Sequence, residues 1–385
     1  EKAEKPTIYI AGDSTAQTYN YTKVYPQTGW GQVFADYFND DIIIENRAMG
    51  GRSSKSYDND GRLDRILTEM HPGDYVFIQF GINDGAENKP ERYISVEDYK
   101  KLITDKYIGE VEKRGGTPVL MTANAAAWWD EENNCFMESR KDYADPTREI
   151  AEETGCKFID ENKIVTDAWN SMSKNRVLSG YFICEPLESK AYPSGTNDTT
   201  HMKAKGAKRV AKLIADAIPE NVPELAKYLK GDETFTDIQG HWAEDVIKTL
   251  AENDKVSGVG DGKFNPDGTV TRAEFLKMAM DSLGIVGHAY RDGECLDATN
   301  DDWYCYYLQG ALDKDIIPKE MIENCNVTKV TKTLAEATDD KEAVTTDVNV
   351  YTGKFDGDKP ITREEMAAIA VRCKNYKMRR LTDWD

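Results

Sequence analysis

The sequence predicts an α/β domain built on a parallel sheet, followed by a second, mainly α-helical region of repeats. Three observations carry this. Short apolar, β-branched runs alternate with amphipathic stretches through the first part of the chain. Small and polar residues gather where those runs end. Beyond Pro219 the alternation stops and a motif begins to recur.

The first run, Thr7-Ile8-Tyr9-Ile10-Ala11, reads as a buried strand. Ile42-Ile43-Ile44, Tyr75 to Phe80, Thr117 to Thr122 and Lys157 to Ile159 supply four more. Helical stretches lie between them: Trp30 to Asn39, Arg62 to Met70, Val96 to Arg114, and Asp142 to Thr154, which Gly155 closes. Ala207 to Ile218 is the last amphipathic segment of this part. Such alternation implies a parallel sheet covered on both faces, with right-handed crossovers. Five strands suit a flavodoxin-like order, in which ligands bind at the carboxyl edge. Asn175 to Thr200 has no clear period, and loops of that length are often functional.

Pro219 to Pro223 and Lys230-Gly231-Asp232 read as a domain exit. Phe235-Thr236-Asp237 with Gly240-His241-Trp242 recurs loosely as Leu296-Asp297 with Asp302-Trp303. Gly262-Lys263-Phe264 recurs as Gly353-Lys354-Phe355, and Thr271-Arg272-Ala273-Glu274 as Thr362-Arg363-Glu364-Glu365. Thr271 and Glu274 have the spacing of a capping box. The second copy carries an insertion between Pro318 and Tyr351, which reads as a surface excursion. Leu381-Thr382-Asp383-Trp384 looks like the opening of a third copy. The expected division is residues 1–232, then a first repeat over 233–287, a second over 288–378, and the start of a third at 379–385. Stacked repeats need several copies to bury a core.

Composition sets further bounds. A formal net charge of -20 argues against binding nucleic acid or an anionic membrane through bulk charge. No stretch of 18 apolar residues exists, so no membrane span is expected. No signal peptide is visible, and the start at Glu1, close to the first strand, is what a mature or trimmed chain would show. The seven Cys include no C-x-x-C pair, which disfavours zinc. Pairing among Cys295, Cys305, Cys325 and Cys373 and buried free thiols stand as equal alternatives.

Ser14 lies just past the first strand, where rigid backbone would expose its hydroxyl. A serine is inert at neutral pH without an adjacent base. His201 is the candidate base, since His71 sits in a Pro-Gly turn. Asp198, three residues earlier, can accept from the imidazole and fix its tautomer. Acyl transfer also needs oxyanion donors. The Ser14 N–H and the Asn83 side chain are candidates, the latter in Gly81-Ile82-Asn83-Asp84 after the third strand. Asp13 and Asp84 read as structural.

The order Gly12-Asp13-Ser14-Thr15, Gly51-Arg52-Ser53, Phe80-Gly81-Ile82-Asn83-Asp84-Gly85 and Asp198-Thr199-Thr200-His201 resembles the SGNH hydrolase superfamily. Within it, the blocks resemble rhamnogalacturonan acetylesterase-like carbohydrate esterases, as do Gly29-Trp30-Gly31 and Asp60-Gly61-Arg62. The resemblance covers roughly residues 5–230. It implies a three-layer flavodoxin-like SGNH fold with Ser14, Asp198 and His201 catalytic. The oxyanion hole it implies is Ser14, Gly51 and Asn83, with Gly51 rather than Gly50 because the family's glycine directly precedes Arg-Ser. No metal or organic cofactor is implied.

Arg47, Arg52 and Lys55 are candidates for holding an acidic sugar, and Trp128 and Trp129 either stack on sugar rings or pack in loops. Asn124-Ala125-Ala126-Ala127 and Ile82 depart from the family at positions it tends to fill with basic residues and His. The repeats resemble S-layer homology domains, which implies wall-polysaccharide contacts at Trp242, Arg272, Trp303 and Arg363. The combined expectation is an extracellular bacterial O-acetylesterase acting on a plant polysaccharide, pectin or rhamnogalacturonan. The repeats would tether it to secondary cell-wall polysaccharide. An acetylxylan esterase, a non-catalytic wall-anchored polysaccharide-binding protein and a lipid esterase are the alternatives, the last disfavoured by the lack of a long apolar lid.

Overall fold

The computed structural model describes residues 5–231, 235–252, 256–289, 295–299, 301–335 and 343–375. The chain forms two compact units, one of residues 1–177 with 198–230 and one of residues 178–197 with 231–385. The second thus begins near the expected exit but also takes in the long aperiodic loop.

In the first unit, β1 (Thr7–Gly12), β2 (Ile43–Asn46), β3 (Tyr75–Gln79), β4 (Thr117–Met121) and β5 (Lys157–Ile159) form one parallel sheet in the order β2-β1-β3-β4-β5. This is the doubly wound order that the alternating runs predict. Gly12 faces Gln79, so β1 and β3 end level, while β2 ends two residues earlier, with Asn46 opposite Ile10. The interiors of β1, β3 and β4 are almost wholly buried, as expected of strands covered on both faces, whereas the edge strands β2 and β5 are more exposed.

Helices cover the faces. α1 (Ser54–Asn59) and α2 (Arg62–Glu69) follow β2, and α3 (Val96–Leu102) follows β3. α4 (Lys141–Thr154) and α5 (Glu161–Asn170) flank β5, and α6 (Ala204–Asn221) ends the unit. Tyr9, Ala11, Val76, Ile78 and Leu120 share one core with Leu63 and Ile66 of α2, Tyr99 of α3 and Ile150 of α4. Phe77 turns the other way, with its ring 5.8 Å from that of Phe34, which in turn meets Trp30 at 5.2 Å. α6 buries Ala207, Val210, Ala211, Ile214, Ala215 and Ile218, a helical stripe.

Local geometry departs from the sequence expectation in places. Trp30 to Asn39 is a short α-helix, Trp30–Val33, that tightens into a 3-10 turn over Phe34–Tyr37. The helix expected over Val96 to Arg114 carries a π segment at Ile103–Ile108. α1, α5 and a two-residue hairpin pairing Trp129–Asp130 with Cys135–Phe136 lie in stretches too short or too polar for a period to declare itself.

The second unit contains α7 (Glu244–Glu252), α8 (Arg272–Leu283), α9 (Cys305–Asp313) and α10 (Arg363–Asn375). Its core joins Leu276 and Met280 of α8, Leu308 and Leu312 of α9, and Ile369 of α10 with Cys295, Cys305, Cys373 and Phe355. Both repeats close alike. The Asp237 carboxylate accepts from the N–H groups of Phe264 and Asn265, at 2.8 and 2.7 Å. Asp297 does the same for Phe355 and Asp356, at 2.7 and 2.9 Å. The Thr271/Glu274 capping box is present, and Thr362 with Glu365 repeats it. The insertion is a long antiparallel ribbon of β6 (Glu323–Ala335) and β7 (Val344–Lys354). Its alternation of Val and Thr with charged residues suits strands, so this surface excursion is ordered β-structure.

Residues 178–197 belong to this unit by direct bonds. The Ala289 N–H donates to the Leu187 carbonyl at 2.9 Å, and the Ser179 hydroxyl donates to the carbonyl of Gly284. Glu185 and Lys314 form an ion pair at 3.2 Å with both side chains buried. Lys314 also donates to His288 Nε2 at 2.8 Å, and His288 Nδ1–H donates to Asp313 at 2.7 Å. Burial, then the Lys314 charge, push the His288 pKa below its ordinary value, so the ring stays neutral in this chain of bonds. The stretch read as a third repeat, Leu381 to Trp384, lies outside the described residues, as does Asp232 of the exit. Among the described residues no helix is long and apolar enough to cross a membrane.

Candidate active site

β1 ends at Gly12, and the chain turns at once to present Ser14. The turn is fixed from below. Buried Asp13 accepts from the Thr15 N–H and hydroxyl, both at 2.8 Å. Burial pushes the Asp13 pKa up, against those two donors. Tyr19 donates its hydroxyl to the Ser14 carbonyl at 2.8 Å, and the Trp30 N–H donates to the Thr15 carbonyl at 2.9 Å. A Cβ on Gly29 would meet the Gln17 carbonyl oxygen at 2.2 Å, so only glycine lets these two backbones approach.

Asp198 organises the turn before α6. Its Oδ1 accepts from the Thr200 N–H at 2.7 Å and the His201 N–H at 2.9 Å. Its Oδ2 takes His201 Nδ1 at 2.6 Å. A carboxylate only accepts, so Nδ1 carries the proton and Nε2 is left with its lone pair. Nε2 lies 2.8 Å from Ser14 Oγ, placed to receive its proton. Two backbone ties aim this turn: Ala127 N–H donates to the Thr199 carbonyl and Thr28 N–H to the Met202 carbonyl, at 2.8 and 2.9 Å. The bond to Asp198 raises the His201 pKa above its ordinary value, outweighing burial. Burial works to raise Asp198, but the bonds from His201 outweigh it and its pKa is lowered.

Asp84 brings two more segments together. It is fully buried and accepts from the Ser54 N–H at 2.9 Å, the Ser54 hydroxyl at 2.5 Å and the Gly81 N–H at 2.9 Å. Burial pushes its pKa up to about 6 against these donors. The loop after β3 is thereby locked to the start of α1, and Asn83 reaches the carbonyl of Arg52, the residue after Gly51. Gly51 has φ +72, the left-handed region. Asn83 Nδ2 donates to the Arg52 carbonyl at 3.1 Å. Among the described residues no hydrogen bond takes up the backbone N–H of Ser14 or Gly51. Chemically, this is a hydroxyl with a poised base and spare donors.

The outer residues divide. Arg47 pairs with Glu45 at 3.3 Å and Glu69 at 2.5 Å. Arg52 pairs with Asp60 at 2.6 Å, and Lys55 donates to the Tyr93 carbonyl at 3.0 Å. The half-exposed Trp128 ring carries the Arg140 guanidinium at 4.8 Å, and Trp129 carries Lys174 at 4.9 Å. In the repeats, Trp242 is 89% exposed and Trp303 is 53% exposed. Arg363 is exposed, whereas Arg272 is buried, bonded to Glu365 and to the Phe355 carbonyl. Sequence reasoning missed Arg92 and Arg140, which stand in loops with no period. Their only local signal is a basic residue soon after Asn83 and one following Trp128-Trp129.

A profile of the GDSL-like Lipase/Acylhydrolase family matches residues 10–209, more than half of the 385-residue chain. The chain belongs to this family. It is an ester hydrolase, with an S-layer homology domain matched at residues 234–276. It is 36% identical over 213 residues to the probable rhamnogalacturonan acetylesterase YesY of Bacillus subtilis (strain 168), covering 55% of this chain and 92% of that one. It is 32% identical to the rhamnogalacturonan acetylesterase RhgT of the same organism, covering 55% of this chain and 89% of that one. A further similarity, 41% identity over 104 residues, covers 26% of this chain and 10% of the exoglucanase XynX of Acetivibrio thermocellus. Among the described residues no group of three or more His, Cys, Asp and Glu could hold a metal ion.

Proposed function

We propose that this enzyme is a carbohydrate O-acetylesterase that uses Ser14 as nucleophile and is held at the bacterial cell surface by its repeats. The observation that carries the reading is the continuous set of bonds from Asp198 through His201 to Ser14 Oγ, at 2.6 and 2.8 Å. Ser14 Oγ attacks the acetyl carbonyl while its proton passes to His201 Nε2. The carbonyl oxygen becomes an oxyanion held by the Ser14 and Gly51 N–H groups and the Asn83 amide. As the tetrahedral species collapses, the C–O bond to the sugar breaks and His201 returns the proton to the leaving hydroxyl. Water, deprotonated by His201, then attacks the acetyl-serine. Acetate leaves and Ser14 regains its proton.

The relatives named as rhamnogalacturonan acetylesterases support a pectic substrate. The S-layer homology domain supports attachment to cell-wall polysaccharide and a secreted location. Exposed Trp242, Trp303 and Arg363 are the proposed wall contacts, with Arg272 acting through the pairing that steadies the fold. Acetate release across acetylated pectin, xylan and mannan tests the substrate. Preference for pectin supports the reading, and preference for xylan makes the chain an acetylxylan esterase. A fluorophosphonate probe that fails to label Ser14 refutes the serine mechanism.

A further inference from the structure

Arg92 lies nine residues past Asn83, in a loop that the family motifs do not include. The loop is secured at both ends. Tyr143 donates its hydroxyl to the Ile94 carbonyl at 2.5 Å, and the Ile94 N–H donates to the Asp84 carbonyl at 3.1 Å. Lys55 reaches the carbonyls of Pro90 and Tyr93 at 3.2 and 3.0 Å. From this base the Arg92 guanidinium extends over Gly51. A Cβ built on Gly51 would meet Arg92 Nη2 at 3.2 Å, Cζ at 3.4 Å and Nη1 at 3.6 Å. Nη1 also donates to Asn83 Oδ1 at 3.4 Å. Its ion pair among the described residues is a peripheral one, with exposed Glu91 at 3.5 Å.

The two ends of the Asn83 amide therefore face opposite chemistry. Oδ1 meets a guanidinium, which only donates, and Nδ2 meets the Arg52 carbonyl, which only accepts. Rotating the amide by half a turn would set donor against donor and acceptor against acceptor. Only one orientation is compatible with both neighbours, and it leaves the second Nδ2–H for another acceptor. The same cation rests on the glycine whose N–H is the other spare donor beside Asn83.

We propose that Arg92 is a positioning residue of the hydrolytic site: it fixes the Asn83 amide and sets a positive charge against Gly51, so that both act on the developing oxyanion. This rests on the serine-hydrolase reading above. The test uses the full chain, a neutral aryl acetate, and Arg92→Ala, Arg92→Lys, Asn83→Ala and the Arg92→Ala/Asn83→Ala double variant.

Arg92→Ala is expected to lower kcat about tenfold, less than the roughly 10²–10³ of deleting an oxyanion donor itself, with KM changed less than about twofold. Arg92→Lys keeps the charge but not the planar fork and recovers part of the loss. In the Asn83→Ala background, Arg92→Ala costs a smaller factor than in the wild-type chain, because the amide it positions is gone and only its charge beside Gly51 is left to remove. A general loosening of the loop would instead cost the same factor in both backgrounds. Equal losses, an effect confined to KM, or an unchanged kcat in Arg92→Ala each overturn the inference. With wild-type turnover intact, those results leave the hydrolase reading standing. A wild-type chain that neither turns over the aryl acetate nor takes the fluorophosphonate label removes both.

Discussion

Asp198→Asn isolates the step on which the proposed chemistry depends. The substitution keeps an oxygen that can accept from the Thr200 and His201 N–H groups, so the turn itself is retained. It replaces the oxygen facing His201 Nδ1, 2.6 Å away, by an NH₂ group. Nδ1 must then accept, the proton moves to Nε2, and Nε2 can no longer take the Ser14 proton. The same inversion in a fully buried serine-protease triad costs about 10⁴ in kcat. Here the two side chains are 32% and 41% exposed, so water can rescue part of the loss. We expect about 10²–10³, or roughly 3–4 kcal/mol of barrier at about 1.36 kcal/mol per decade.

The pH profile supplies an independent reading. The wild-type acidic limb should lie above about 6.5, because the bond to Asp198 raises the His201 pKa. In Asp198→Asn the limb should move down, as burial is then left to oppose the imidazolium. The stability signs follow the same shifts. The raised His201 pKa contributes stability that is fully present below about pH 6.5 and is lost as pH rises through the folded value. The lowered Asp198 pKa contributes stability present above about pH 3.9 and lost as pH falls through the folded value. Stopped-flow or steady-state hydrolysis of an aryl acetate between pH 5 and 9 measures both effects. An unchanged rate together with an unmoved limb would refute the dyad.

Ser14→Ala should abolish turnover while leaving the unfolding midpoint within about a degree of wild type, since one hydroxyl is removed from a turn held by other bonds; near wild-type hydrolysis would reassign the nucleophile. Asn83→Ala should lower kcat by roughly 10²–10³ with little change in KM, and an effect on KM alone would make Asn83 a ground-state contact. Lys314→Met removes a cation that buried Glu185 and His288 share, at 3.2 and 2.8 Å, and should cost about 3–5 kcal/mol in denaturant unfolding; less than about 1 kcal/mol would mean the pair is not what secures residues 178–197. A chain ending at Gly231 keeps that segment without Gly284, Ala289 and Lys314, so it should unfold at lower temperature than the corresponding transition of the full chain. Identical midpoints would make residues 1–231 autonomous, as the sequence pattern alone expects.

The strand order and the repeat motif were legible in the sequence because both rest on local periodicity. An apolar β-branched run followed by an amphipathic stretch leaves the chain few ways to bury both, and right-handed crossovers then order β2-β1-β3-β4-β5. The capping box at Thr271 is likewise a contact within one turn of chain. Asp198 and His201 were legible for the same reason, being three residues apart. The tertiary structure decided what depends on distant partners. It set Arg47 against Glu69 and Arg272 against Glu365, and it carried Arg92 over Gly51. It joined residues 178–197 to the second unit through Glu185 and Lys314, though the chain around them belongs to the first. No short-range pattern encodes which carboxylate an arginine will meet, because charge attracts without regard to spacing along the chain. That choice is made only when the sheet and its helices have brought the loops together.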